Sequence, residues 1–228
     1  MKIVPTGIEN FKELIDKDAC YVDKTNLIEK VLKEKVVLYT RPRRFGKTLN
    51  MSMLYYFFSN KEKENAYLFD GLNISKNKEA LKHQNQYPVI FISLKDMKES
   101  KIENQLVKFS YIIARLLDQF EDILDDDIFN EREKKLLKRY HLNTASKNEL
   151  SESLLTISLC LRKYYHQKVI ILIDEYDVPL QAAYQHNYYD EMVEFLKNVF
   201  SSALKTNESL EKGIMTGCLR ISKESIFT

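Results

Sequence analysis

The chain has 228 residues, 44% hydrophobic and 30% charged, with a net charge of +2. This composition suits one good-sized α/β domain and excludes a disordered or fibrous chain, and so small a charge does not by itself mark a nucleic-acid binder. No apolar run approaches the roughly 18 residues of a membrane span, the N-terminus lacks a secretory apolar core, and Cys20, Cys160 and Cys218 lie too far apart for a disulfide framework or zinc knuckle, so the expectation is a cytoplasmic protein with no membrane partner.

Short apolar, β-branched runs alternate with amphipathic helices. "EKVVLYT" (34–40) is continuously apolar, the pattern of a strand buried on both faces. It leads through "RPRRFG" into "KTLNMSMLYYFF", which reads as a helix ending near Ser59-Asn60. "YPVIFISL" (87–94) reads as a second strand. Residues 97–150 are expected to form a mostly helical insertion. In it, Ile102, Leu106, Phe109, Ile113, Leu116, Phe120 and Leu124 recur every three to four positions. The stretch 121–148 turns from acidic to basic and reads as a solvated helix and loop. Ser146 with Glu149 forms a capping-box pattern that opens a helix carrying Leu150, Leu154, Ile157, Leu161 and Tyr164 on one face. "KVIILIDEYD" (168–177) is the third and most apolar strand, a helix covers about 188–205, and "KGIMTG" (212–217) is the fourth strand. Strands separated by helices predict an α/β three-layer sandwich with a mainly parallel sheet.

Glycine is scarce, five in all, and two of them stand in "FGKT" and "MTGC". Gly46-Lys47-Thr48 has the form of the second half of a phosphate-binding loop, between a strand and a helix. Such a loop needs backbone N–H groups around a concavity, a lysine reaching the terminal phosphates and a hydroxyl for magnesium. The helix N-terminus adds partial positive charge. Arg41 stands where the usual pattern has its first glycine, but Pro42 pushes it into extended geometry, so the chain can leave the strand without a left-handed turn. Arg41, Arg43, Arg44 and Lys47 put four positive charges into seven residues. Read alone, the segment is either a nucleotide loop formed by Arg41, Pro42, Arg43, Arg44, Phe45, Gly46, Lys47, Thr48 and Leu49, or a basic surface turn.

The third strand ends in Asp174-Glu175. In a phosphate-loop site Asp174 would hold Mg2+ with Thr48, and Glu175 would polarise the attacking water. Acids also end strands simply because the chain surfaces there. The two half-signals in this order predict a site for ATP and Mg2+. Thr216, at the end of the fourth strand, is either a γ-phosphate sensor or a strand-end threonine. Arg220 is either an arginine that meets the γ-phosphate, in its own or a neighbouring subunit, or a salt-bridged surface residue. There is no Asn-Lys-x-Asp base-reading motif and no Asp-x-x-Gly switch, which favours ATP over GTP.

Together "IVPTGIENF" (3–11), "YVDKT" (21–25), "RPRRFGKTL" (41–49), "LFDGLNI" (68–74), "LIDEYDVPL" (172–180) and "TGCLRISKESIFT" (216–228) resemble the bacterial and archaeal AAA-ATPase-like proteins, which often carry a PD-(D/E)XK nuclease-like domain after the ATPase. The resemblance spans nearly the whole chain and implies the additional-strand, catalytic-glutamate branch of P-loop ATPases. Arg41 then looks like a feature of that family's own loop. The segment around Asp23 would border the adenine, although from the residues alone Asp23 is equally an N-cap before "KTNLIEKVL". Residues 1–228 would be one ATPase domain that stops within its last motif, before a fifth strand. The strand 34–40 would then be left as an edge open to homo-oligomer contacts. The expected function is Mg-dependent ATP hydrolysis that drives or switches a partner or nuclease-like domain, with nucleic acid reached through that partner. The rival readings are a nucleotide-responsive module without turnover and a nucleic-acid-binding module.

Overall fold

The computed structural model describes residues 4–124 and 126–219. Helices α1 (Phe11–Asp16) and α2 (Asn26–Lys33) precede strand β1 (Val36–Thr40). Then come α3 (Lys47–Phe58), α4 (Lys78–Leu81) and β2 (Val89–Ser93). The helices α5 (Ile102–Asp118), α6 (Glu131–His141), α7 (Lys147–Ser151) and α8 (Ser153–Tyr165) lead to β3 (Val169–Asp174). After it follow α9 (Val178–Gln185), α10 (Tyr189–Leu204) and β4 (Leu210–Gly217).

The four strands form one parallel sheet in the order β1-β4-β3-β2. β4 thus lies between the strand that feeds the basic loop and the strand that ends in Asp174, which is the placement expected of the additional-strand branch. The period of two along β3 makes the three layers. Val169, Ile171 and Ile173 join one core with Phe109, Leu154 and Phe195, while Ile170 and Leu172 join another with Val31, Leu54 and Phe58. All six β3 residues are buried, as a central strand requires.

β1 departs from its sequence reading. Its apolar run suggests burial on both faces, yet its residues are half-buried or exposed. The reason is position: among the described residues β1 pairs with β4 alone, so one side has no strand over it. α3 shows the converse. It is apolar nearly all round because the sheet lies on one side and the N-terminal segment on the other, where the Phe11 N–H donates to Ser52 Oγ at 2.9 Å.

The stretch from 121 to 148 is less solvated than its charges suggest. Phe129, Leu137 and Tyr140 are buried in the main core, and the Tyr140 hydroxyl donates to the Glu149 carbonyl at 2.8 Å. Each such side chain stabilises by about 1.5–3 kcal/mol, enough to hold a helix whose other residues are polar. The capping box at Ser146 is present, but the helix it opens breaks at Glu152 and restarts as α8.

Candidate functional site

The carboxyl ends of β1, β3 and β4 converge where an open α/β sheet binds its ligands. The loop after β1 first continues the ladder: the Arg41 N–H donates to the Gly217 carbonyl at 3.1 Å, one step beyond the Thr40–Gly217 pair. The Arg41 guanidinium also donates to the Thr40 carbonyl at 2.9 Å. The left-handed turns come later, at Arg44 (φ +67°) and Gly46 (φ +72°). A glycine at 41 is therefore dispensable because the bend has moved three to five residues on. An arginine at positive φ costs about 1 kcal/mol or more, a strain that collects at functional loops. Arg41, Pro42, Arg43, Arg44 and Phe45 are exposed, and Thr48 and Leu49 are half-buried.

Gly46 caps α3, whose first hydrogen bond runs from the Asn50 N–H to the Gly46 carbonyl at 2.9 Å. The N–H groups of Lys47, Thr48 and Leu49 precede that bond and have no acceptor within the helix. Lys47 is 9% exposed and curls back over the loop. Its Nζ donates to the Pro42 carbonyl at 3.1 Å and to Cys218 Sγ at 3.2 Å.

Asp174 and Thr216 are opposite each other in the β3–β4 register, and both are buried. Asp174 Oδ1 accepts from the Glu175 N–H at 3.0 Å, whereas Asp174 Oδ2 and Thr216 Oγ1 have no hydrogen-bond partner among the described residues. Buried polar atoms rarely go unpaired, so two side by side mark a place built for something else. Burial pushes the Asp174 carboxyl up to about 6; the Glu175 charge adds to this, and the Thr48 hydroxyl and Lys47 charge oppose it. Glu175 has φ +53°, a left-handed backbone at the end of the central strand.

Two recesses flank the loop. One, of about 340 Å3, is lined by Glu175, Arg43, Lys98, Gln181, Gln185 and Cys218 among others. The other, of about 360 Å3, is more apolar, with Leu27, Tyr39, Phe45 and Leu54 beside Lys24 and Arg41. Lys47 and Thr216 also line this second recess. Asp23 does not line it, although Lys24 and Asn26 do. Both Asp23 oxygens are used internally: Oδ1 accepts from the Thr25 N–H and hydroxyl at 2.8 and 2.7 Å, and Oδ2 from the Asn73 N–H at 2.7 Å. Burial alone would raise its carboxyl, but these hydrogen bonds outweigh it and hold the group below its ordinary value. The N-cap of α2 is Thr25, which Asp23 braces from two residues upstream, so the reading of Asp23 as the N-cap is corrected.

Sequence reasoning missed Asp177, Lys98 and the use of Cys218. Asp177 is 1% exposed, and its Oδ2 accepts from the Cys218 N–H, the Leu219 N–H and Gln181 Nε2 at 3.1, 2.9 and 2.7 Å. It ties the exit of β4 to the start of α9. Its place in "DEYD" was a visible signal; Lys98 lies in a loop with none. Arg220 lies outside the described residues.

Among the described residues no three His, Cys, Asp or Glu side chains gather as metal ligands. An all-protein cage is not what Mg2+ needs, since it is held by one or two protein oxygens together with phosphate oxygens and waters. The unpartnered Asp174 Oδ2, with the Thr48 hydroxyl nearby, fits that donor set.

A parallel sheet with a strand interposed between a GKT loop and an acidic strand end defines a P-loop NTPase-like domain. The chain belongs to the AAA-ATPase-like family: the family model described as "Predicted AAA-ATPase" matches residues 5–227. A curated relative from Azotobacter chroococcum mcd 1, named "Uncharacterized protein in vnfD 5'region", is 25% identical over 237 residues. That match covers 100% of this chain and 39% of the relative, so the chain spans about two fifths of that protein's length. No solved structure matches. No helix among the described residues is long and apolar enough to cross a membrane.

Proposed function

We propose that this domain binds ATP with Mg2+ and hydrolyses it at the γ-phosphate. The observation that carries the reading is the pair of buried oxygens on Asp174 and Thr216 that have no hydrogen-bond partner among the described residues, set where the loop and the acidic strand end meet. In this reading the first N–H groups of α3 and the Lys47 ammonium hold the phosphates, and Arg43 approaches from the recess it shares with Glu175. The base lies in the apolar recess between Leu27, Tyr39 and Phe45. Thr48 and Asp174 hold the magnesium, which when bound supplies charge neutralisation at the phosphates. Glu175 accepts the proton of the attacking water, and Thr216 donates to the reacting phosphate or its water. In this reading Arg220 would meet the same charge, in its own or a neighbouring subunit. What the hydrolysis drives, whether a partner, a nuclease-like domain with its nucleic acid, or a homo-oligomer contact through β1, belongs to the same proposal, as does a cytoplasmic location.

One feature favours a switching role in addition. Lys47 is held by Pro42 and Cys218, so phosphate binding must draw it off the β4 exit. The direct test is equilibrium binding of labelled ATP with and without magnesium, followed by phosphate release. Binding without release would leave the nucleotide-responsive module standing, and no binding would sink both readings.

A further inference from the structure

A groove of about 520 Å3 runs between β2, the sheet edge opposite β1, and α5. Its walls carry Lys95, Lys98, Lys108 and Arg115 against a single acid, Asp96. Lys108 comes within 3.7 Å of Glu99, an exposed pair of little strength, and Lys95, Lys98 and Arg115 have no acidic partner among the described residues. Such an excess of cations in a concave place attracts a polyanion.

The aromatic content narrows the choice. Lys108, Tyr111 and Arg115 are three and four residues apart on α5 and so share one face. Tyr111 stands between the two cations and is 49% exposed. A flat ring flanked by positive charge along a groove is the combination that holds single strands, with phosphates on the cations and a base on the ring. An acidic extended peptide could use the edge of β2, which pairs with no further strand among the described residues, but would leave the tyrosine without a role. Lys98 also lines the recess that contains Glu175 and Arg43, so the two cavities share a wall.

We propose that the β2–α5 groove binds single-stranded nucleic acid and that Lys98 relays its occupancy to the Glu175 recess. Binding stands on the groove alone, whereas the relay rests on the ATPase reading above. The test uses the full chain and a fluorescein-labelled oligothymidylate of about 12 nucleotides. Anisotropy is read at roughly 50 and 200 mM salt, where a phosphate-contacting site loses affinity steeply. Tyr111→Ala is expected to weaken binding about fivefold or more, and the exposed double change Lys108→Glu/Arg115→Glu to abolish it, with the melting temperature checked for each. Binding that survives these changes but is lost in Arg43→Ala/Arg44→Ala would assign the anion to the loop and overturn the proposal. Preference for a polyglutamate peptide, or no binding by either probe, would overturn it equally. For the relay, at oligonucleotide concentrations that saturate each protein by anisotropy, the oligonucleotide should raise ATP turnover in the wild type and fail to do so in Lys98→Ala. Turnover insensitive to a bound oligonucleotide overturns the relay. ATP bound without any turnover removes the ATPase reading and the relay with it, while groove binding stands or falls by the anisotropy alone.

Discussion

Asp174 Oδ2 and Thr216 Oγ1 face the same side of neighbouring strands, and neither has a hydrogen-bond partner among the described residues. An unsatisfied buried hydroxyl costs stability unless a ligand uses it. Thr216→Val should therefore leave the apo domain as stable as before, or about 1 kcal/mol more stable, while phosphate release falls. Denaturant unfolding and turnover on the same sample check this. A large loss of stability would show that Thr216 serves the fold.

The Asp174 carboxyl, raised from 3.8 to about 6, sets a pH dependence with a definite sign. Between those values the folded chain binds the proton that the unfolded chain has released, so stability from this group rises as pH falls through about 6 and is complete below 3.8. Asp174→Asn carries every other titration but not this one. The wild type should gain on it by roughly 2–3 kcal/mol between about pH 7.5 and 4. Magnesium-dependent nucleotide binding should weaken over the same fall, because the protonated carboxyl is a poor ligand. Unfolding midpoints for the two proteins across that range, parallel throughout, would refute the buried-carboxyl account.

Lys47→Ala should weaken ATP at least about a hundredfold, since two charge-assisted hydrogen bonds to phosphate are lost. The fold should survive, because among the described residues the ammonium donates only to the Pro42 carbonyl and Cys218 Sγ. Calorimetric titration reads the affinity; wild-type binding by the mutant would detach the loop from the nucleotide.

Glu175→Gln should bind ATP normally and turn it over at most about one-hundredth as fast, the usual contribution of a positioned base. Equal loss of affinity would mean that the left-handed turn at Glu175, and not its carboxylate, is what matters.

Gly217→Ala tests the tie made by Asp177. A Cβ there would fall 2.4 Å from Asp177 Oδ1 and 2.7 Å from the Tyr176 ring, and Asp177 is pinned by three donors. Destabilisation of about 2 kcal/mol or more is expected. A neutral result, read by thermal unfolding, would show that this corner of the fold yields.

The sheet was legible wherever local pattern and tertiary position agreed. β3 is apolar because it is central, and α3 runs from Lys47 to Phe58, capped at Ser59, beside the expected end near Ser59-Asn60. β1 misled because an apolar run reports composition and not the number of neighbouring strands. The stretch 121–148 misled because Phe129, Leu137 and Tyr140 anchor it from among a charged majority. Asp174 and Thr216 are paired across neighbouring strand ends, and Lys47 lines a recess with Thr216. Asp177 stands three residues beyond Asp174, whereas Lys98 joins them only through the crossing of a distant loop, which no spacing in the chain encodes.

The contact between Lys47 and Cys218 turns a sulfur into a witness. Cys160 is buried with its thiol pushed up to about 12, and Cys20 is exposed, so a Cys20→Ser chain leaves a single reporter. Its rate of reaction with a small alkylating reagent records how much of the time the lysine has let go of it. Each encounter with a nucleotide would thus leave a chemical trace that mass spectrometry can count.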